Sequence, residues 1–326
     1  MDEIIAEYIY GMDLGDVQEY KGMSVFPLYN DGDDSFYITL KETLDADLLT
    51  VTEVDDSGSV PELKVINWAD VPVLLLDGEE LIGVKQNRVL NTTILLKQKS
   101  ETVIPVSCTE QGRWSYNSRK FQESGNVASY RVRRSKSTTV TASLKMSGEF
   151  NSDQRAVWNE IDDMSRDARV TSSTRAMHDI YKSRDEDLEK YHRSFPVQNG
   201  QNGILVMVNG EVLGFDIVSS GIAYYVLHRK LLKSYALEAI LHEEAEVEAD
   251  FNGLDKVKTF LDDVRLSMSE KHKSVGYGWD HRLEGPSVVG SSLTYQDQVI
   301  HMAFFNRGKN KTNDMSSYNQ RRGFRV

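Results

Sequence analysis

Short apolar or alternating runs, punctuated by Asp, Gly and Asn, dominate the first 110 residues. Met23 to Leu28, Phe36 to Leu40, Leu48 to Val54, Val71 to Leu76, Val89 to Leu96 and Thr102 to Cys108 each read as a strand. Such spacing favours antiparallel pairing. From Ser152 the period lengthens. Ser152 is placed to cap a helix carrying Val157, Ile161, Met164 and Ala168, and a second helix follows with Met177, Ile180, Tyr181, Leu188 and Tyr191 as its stripe. Ile204 to Phe215 is a hairpin, because Asn209-Gly210 between two apolar runs suits a type I′ turn. Two more helices are predicted over Ile222 to Glu246 and Leu254 to Ser267. Strands over Val288 to Tyr295 and Val299 to Phe305, turned at Gln296-Asp297-Gln298, close the body.

The pattern predicts an α+β fold. A β-rich part with mainly antiparallel strands spans residues 1–150, and an α+β part with helices and hairpins spans 151–305, the two forming one domain. Residues 306–326 hold six cations, Arg307 to Arg325, against Asp314 and read as a flexible basic tail.

Composition narrows the class. With 326 residues, 40% of them hydrophobic, the chain can bury a large core. No run approaches the roughly 20 apolar residues of a membrane span, and the start carries acids where a secretory signal carries bases. A soluble cytoplasmic protein with no membrane partner is expected. Cys108 is the only cysteine, which excludes an intrachain disulfide and a cysteine zinc cage. The net charge of −12 is uneven: residues 1–62 hold 16 acids against Lys21 and Lys41, and residues 112–146 hold eight cations against Glu123. Anions can be drawn to that second region.

Two polar runs flank apolar segments. Gly78 to Arg88 holds Glu79, Glu80, Lys85, Gln86, Asn87 and Arg88; Pro105 to Trp114 holds Cys108, Glu110, Gln111, Arg113 and Trp114. Polar groups beside buried strands must pair with each other or with a ligand. Glu80 and Glu110 are the candidate catalytic acids, since carboxylates in differing environments supply both a proton donor and a base. Lys85, Gln86, Asn87, Arg88, Gln111 and Arg113 are candidate ligand contacts, suited to a nucleobase edge, a ribose or a phosphate. An extended backbone would put Lys85 with Asn87 on one face and Gln86 with Arg88 on the other. Trp114 is either a stacking surface or core. Arg282 and Glu284, two apart, are candidates to complete the contact from the C-terminal half. The bland alternative is internal ion pairing throughout.

Other signals are weaker. His242-Glu243-Glu244-Ala245-Glu246 lacks the second histidine of a helical zinc motif, and Gly276-Tyr277-Gly278 lacks the third glycine and strand-to-helix setting of a dinucleotide fingerprint. Carboxylate sites for Mg²⁺ or Mn²⁺ leave little sequence signature, so a divalent metal at Glu79, Glu80 and Glu110 with His301 stays open. Cys108 reads as a buried structural thiol unless His301 or His228 approaches it.

Three segments stand together: Gly78 to Arg88, Ile104 to Trp114, and Arg282-Leu283-Glu284-Gly285 leading to Val289-Gly290-Ser291-Ser292-Leu293 and Val299-Ile300-His301. In this order they resemble the ARG-and-rhodanese-phosphatase-superfamily-associated protein domain, over roughly Asp13 to Phe305. The resemblance implies a link to NAD-derived or ADP-ribose metabolism. The expectation is therefore binding, with or without hydrolysis, of an ADP-ribose-like or other phosphorylated nucleotide. The alternative is a non-catalytic module that recruits a protein or nucleic acid through Arg131-Val132-Arg133-Arg134-Ser135-Lys136 or the tail. The net charge ranks nucleic acid behind a small ligand.

Overall fold

The computed structural model describes residues 1–30, 36–55, 60–115, 118–242 and 253–308. In chain order its elements begin α1 (Glu3–Tyr10), β1 (Asp13–Leu14), β2 (Gln18–Tyr20), β3 (Met23–Tyr29), β4 (Ile38–Thr39), α2 (Leu40–Asp45), β5 (Leu49–Glu53), β6 (Glu62–Asn67), β7 (Val73–Leu75), β8 (Glu79–Ile82), β9 (Arg88–Leu90), β10 (Ile94–Leu96), β11 (Ser100–Cys108) and β12 (Gln122–Val127). Helices follow: α3 (Tyr130–Ser147), α4 (Gln154–Asp167), α5 (Met177–Ser183) and α6 (Asp185–Ser194). The chain then forms β13 (Gly203–Val208), β14 (Glu211–Val218), α7 (Gly221–Leu241), α8 (Gly253–Arg265), β15 (Met268–Lys273), β16 (Trp279–Glu284), β17 (Val288–Tyr295) and β18 (Gln298–Asn306). This is an α+β fold, antiparallel except where β4 meets β7.

The largest sheet runs β1-β3-β13-β14-β18-β17-β16-β15, with β2 on β3. Because β3 pairs with β13, the first strands of the chain belong to a sheet whose other six strands lie within residues 203–306. Strand alternation divides its two faces. Leu205 and Phe304 point to α1 and α8, where Ile5, Ile9, Val257 and Phe260 cover them. Val206 and Phe305 point the other way, to Val132 of α3 and Leu231 and Tyr235 of α7. Helix α7 lies between sheets, so it is buried nearly all round, His228, Lys230 and Lys233 included, and burying one apolar side chain such as Leu231 contributes about 1.5–3 kcal/mol. A six-stranded sheet, β12-β8-β9-β11-β6-β5, and a three-stranded one, β10-β7-β4, enclose a separate core around Leu63, Leu81 and Ile104.

The hairpin at Asn209-Gly210 forms with φ of 50° and 74°, as a type I′ turn requires, and Gln296-Asp297 makes a second with φ of 49° and 59°. Several expectations need correction. Phe36 to Leu40 is strand only at Ile38–Thr39, because Thr39 and Glu42 form a capping box that starts α2. Val89 to Leu96 is two strands in different sheets, broken at Asn91-Thr92-Thr93, whose buried side chains bond to Ser107, Asp280 and His301. Asp153 caps α4 in place of Ser152, accepting from the backbone of Arg155 and Ala156. The stripe from Met177 to Tyr191 is buried as expected but spans two helices, broken at Arg184. Residues 243–246 of the expected long helix lie outside the described residues, as does the tail beyond Gly308.

The largest correction concerns residues 131–136. They form the first turns of α3, a helix hidden from hydrophobic periodicity because cations occupy its buried face. Arg133 and Lys136 have no solvent exposure. Arg133 makes a two-pronged contact with Asp216, and Lys136 bonds Asp77 at 2.7 Å. Arg131 pairs with Glu238 and Asp167 at 2.7 Å each. A segment that spends these cations inside the molecule is no basic patch for a partner.

Candidate functional site

The end of β11 turns through Thr109 to Trp114, and residues 172–177 run back along it. The Met177 N–H donates to the Thr109 carbonyl at 2.9 Å, and that of Gly112 to the Thr174 carbonyl at 2.8 Å. The approach demands glycine, since a Cβ at residue 112 would stand 2.9 Å from the Thr174 Cα. This pairing delivers the first turn of α5, with His178 and Asp179, to the polar end of β8 and β12. A cleft of about 350 Å³ results, with Asn87, Glu110 and Arg113 on one wall and His178 and Asp179 on the other. That volume is at the lower end of the usual range for small-molecule sites, about 300–1,000 Å³.

Glu110 and Arg113 meet as two forks. Arg113 Nε donates to Oε1 at 2.9 Å and Nη2 to Oε2 at 2.6 Å, while the Asn87 backbone N–H adds a bond of 3.1 Å. Burial opposes the charge of Glu110, but the bonds from Arg113 and Thr174 prevail and hold its carboxyl below the usual range. Arg113 also donates to the carbonyls of Val84 and Ser115 and to the side-chain oxygen of Asn87. Its five N–H groups are thus all engaged within the protein. It braces the wall and has no donor left for a phosphate.

Behind the opposite wall lies Glu80, with no solvent exposure. Thr109 donates its hydroxyl to Glu80 Oε1 at 3.1 Å, and Oε2 stands 3.5 Å from His178 Nδ1. The Glu80 carboxylate raises the pKa of His178 above that of a free imidazole. A buried carboxylate thus stands behind a partly exposed imidazole at the cleft surface. Nothing in the sequence singles out His178, which lies 98 positions from Glu80 and is brought to it by the pairing of residues 109–112 with 174–177.

The other sequence candidates distribute as follows. Gly83 to Asn87 is not extended, with φ of 119° at Gly83 and 43° at Val84, so simple alternation fails there. Gln86 and Arg88 do share one side, where Arg88 Nη1 and the Cys108 thiol both donate to Gln86 Oε1. Asn87 faces the cleft, whereas Lys85 lies over Trp114. Gln111 is exposed and accepts from Arg175 at 3.0 Å. Arg282 and Glu284 do not complete this site. Arg282 bonds Asp280 and Thr92, beyond the far end of β9 from Asn87, and Glu284 pairs with Lys145 and Arg307 near the surface.

The four groups considered for a metal are also apart. Glu79 points away from Glu80 and pairs with Lys230, and His301 bonds Thr93 and Asp216. Among the described residues, no three His, Cys, Asp or Glu side chains form a group that could hold a metal ion. Neither His301 nor His228 reaches Cys108, whose thiol is pushed up to about 11 by burial. A larger depression, about 490 Å³, lies by Glu211, Asp255 and Asp263. It lacks any carboxylate–imidazole pair, and the smaller cleft is the better candidate.

The fold is α+β, and among the described residues this cleft brings Asn87, Glu110, Arg113, His178 and Asp179 together. The family model of the ARG and Rhodanese-Phosphatase-superfamily-associated Protein domain matches residues 11–305, and the chain belongs to that family. Comparison with curated proteins and with solved structures finds no match. Among the described residues, no helix is long and apolar enough to cross a membrane.

Proposed function

We propose that the cleft binds an ADP-ribose-like or other phosphorylated nucleotide ligand and that His178 acts on it as a general acid and base. The observation that carries this reading is the contact between buried Glu80 and cleft-facing His178. Family membership supports the ligand class through the association its description records.

The cleft is rich in acceptors. Glu110 and Asp179 offer carboxylate oxygens, and Asn87 and Thr174 add an amide and a hydroxyl. Such a lining suits the hydroxyls of a ribose. In hydrolysis, water would supply the hydroxyl to the cleaved bond while His178 protonates the leaving group. Glu80 then becomes a positioning residue for His178, and Glu110 a ligand contact fixed by Arg113. Titration calorimetry with ADP-ribose, NAD and related nucleotides tests the reading. Binding that is lost in His178→Ala supports it, and absence of binding at millimolar ligand overturns it.

A further inference from the structure

With every Arg113 donor engaged, the cleft itself offers no guanidinium for a phosphate, yet a second one lies nearby. Arg88 has no solvent exposure, and its Nε and Nη2 find no hydrogen-bond partner among the described residues. Its closest carboxylate, Glu53, is 3.9 Å away and only 4% exposed at the side chain. Buried guanidinium donors without acceptors are costly, and native proteins seldom leave them so without a use. Above Arg88 lies the indole of Trp114, 49% exposed, with Arg88 Cζ 5.8 Å and Lys85 Nζ 5.4 Å from its ring centroid. An exposed flat ring thus overlies two cations that flank the cleft-lining Asn87 in sequence.

We propose that Arg88 and Lys85, beneath Trp114, form the subsite for the phosphate group of the ligand, with Trp114 moving aside to admit it. The inference rests on the nucleotide reading for the rest of the ligand. A phosphate oxygen pair would satisfy Arg88 Nε and Nη2 together, the forked geometry that arginine presents to tetrahedral anions. Glu53 beside them is pushed up by burial, which lessens its repulsion of an anion. No bond is made or broken in this step.

The experiment is fluorescence titration of the full chain with inorganic pyrophosphate, ADP-ribose and adenosine, comparing wild type with Trp114→Phe, Arg88→Gln and Arg88→Lys. Pyrophosphate and ADP-ribose should change the emission of wild type but not of Trp114→Phe, and Arg88→Gln should weaken ADP-ribose at least tenfold with adenosine unaffected. Arg88→Lys should recover only part of that loss. Should Arg88→Gln fail to fold, the pyrophosphate response of wild type and Trp114→Phe decides alone. ADP-ribose binding with a silent Trp114 and no pyrophosphate response overturns the subsite and leaves the cleft reading standing. A Trp114 response to pyrophosphate without ADP-ribose binding supports the subsite and overturns the cleft reading.

Discussion

Nδ1 of His178 stands 3.5 Å from Oε2 of Glu80, a carboxylate wholly removed from solvent. The pair forms because residues 109–112 and 172–177 run side by side, and it gives a partly exposed imidazole a pKa above the ordinary value near 6.5. A raised histidine favours the folded state below the unfolded pKa, and that contribution fades as pH rises through the folded value. Proton NMR of the His178 ring should show a midpoint above 6.5 in wild type and a lower one in Glu80→Gln. An unchanged midpoint would show that the carboxylate does not act on the ring.

Gly112 tests how the site is assembled. In Gly112→Ala the new Cβ meets the Thr174 backbone and forces residues 172–178 away from the 109–112 turn. The expected cost is about 1–3 kcal/mol in urea unfolding, the usual range for overpacking, with the upward shift of the His178 midpoint lost. Retention of both stability and midpoint would mean that this contact does not place the histidine.

Arg133 and Asp216 anchor a buried polar network joining α3 to the large sheet. Removing one partner, as in Arg133→Met, leaves Asp216 charged and buried and should cost about 3–5 kcal/mol. Arg166→Ala, which breaks an exposed pair, should cost under about 1 kcal/mol. Asp216 is fully buried, which opposes its charge, but Arg133 and His301 hold its carboxyl far below the usual range. Its stabilisation is therefore present above the ordinary carboxylate pKa and is lost as pH falls. Asp216→Asn should flatten the acid side of the stability profile, and an unaltered profile would contradict this assignment.

Much of the fold is legible in the sequence because apolar periodicity carries it. The hairpins at Asn209-Gly210 and Gln296-Asp297 and the stripe from Val157 to Ala168 are placed by residues whose burial follows from their chemistry alone. Helix α3 escapes because Arg133 and Lys136 fill inward positions and their acids, Asp216 and Asp77, are distant in sequence. The polar runs mark the cleft through Asn87, Glu110 and Arg113. Which of those groups are free is set by hydrogen bonds that no spacing reveals: Arg113 is saturated by local carbonyls, and His178 arrives from another element.

Cys108 should be inert. With its thiol pushed up to about 11 and bonded to Gln86, almost none is thiolate at neutral pH. Modification by a soluble disulfide reagent at pH 8 should be slow in the native protein and fast in urea. Rapid labelling of the native chain would show an open or activated thiol.

On the proposed function, the cleft between Asn87 and His178 takes a nucleotide-derived ligand. Titration calorimetry of ADP-ribose against wild type, His178→Ala and the distant surface variant Arg166→Ala addresses it most directly. Binding by wild type and Arg166→Ala, weakened at least tenfold in His178→Ala, is the expected result. Equal binding by all three would place the ligand elsewhere, and no heat from wild type at millimolar ADP-ribose would contradict the claim outright.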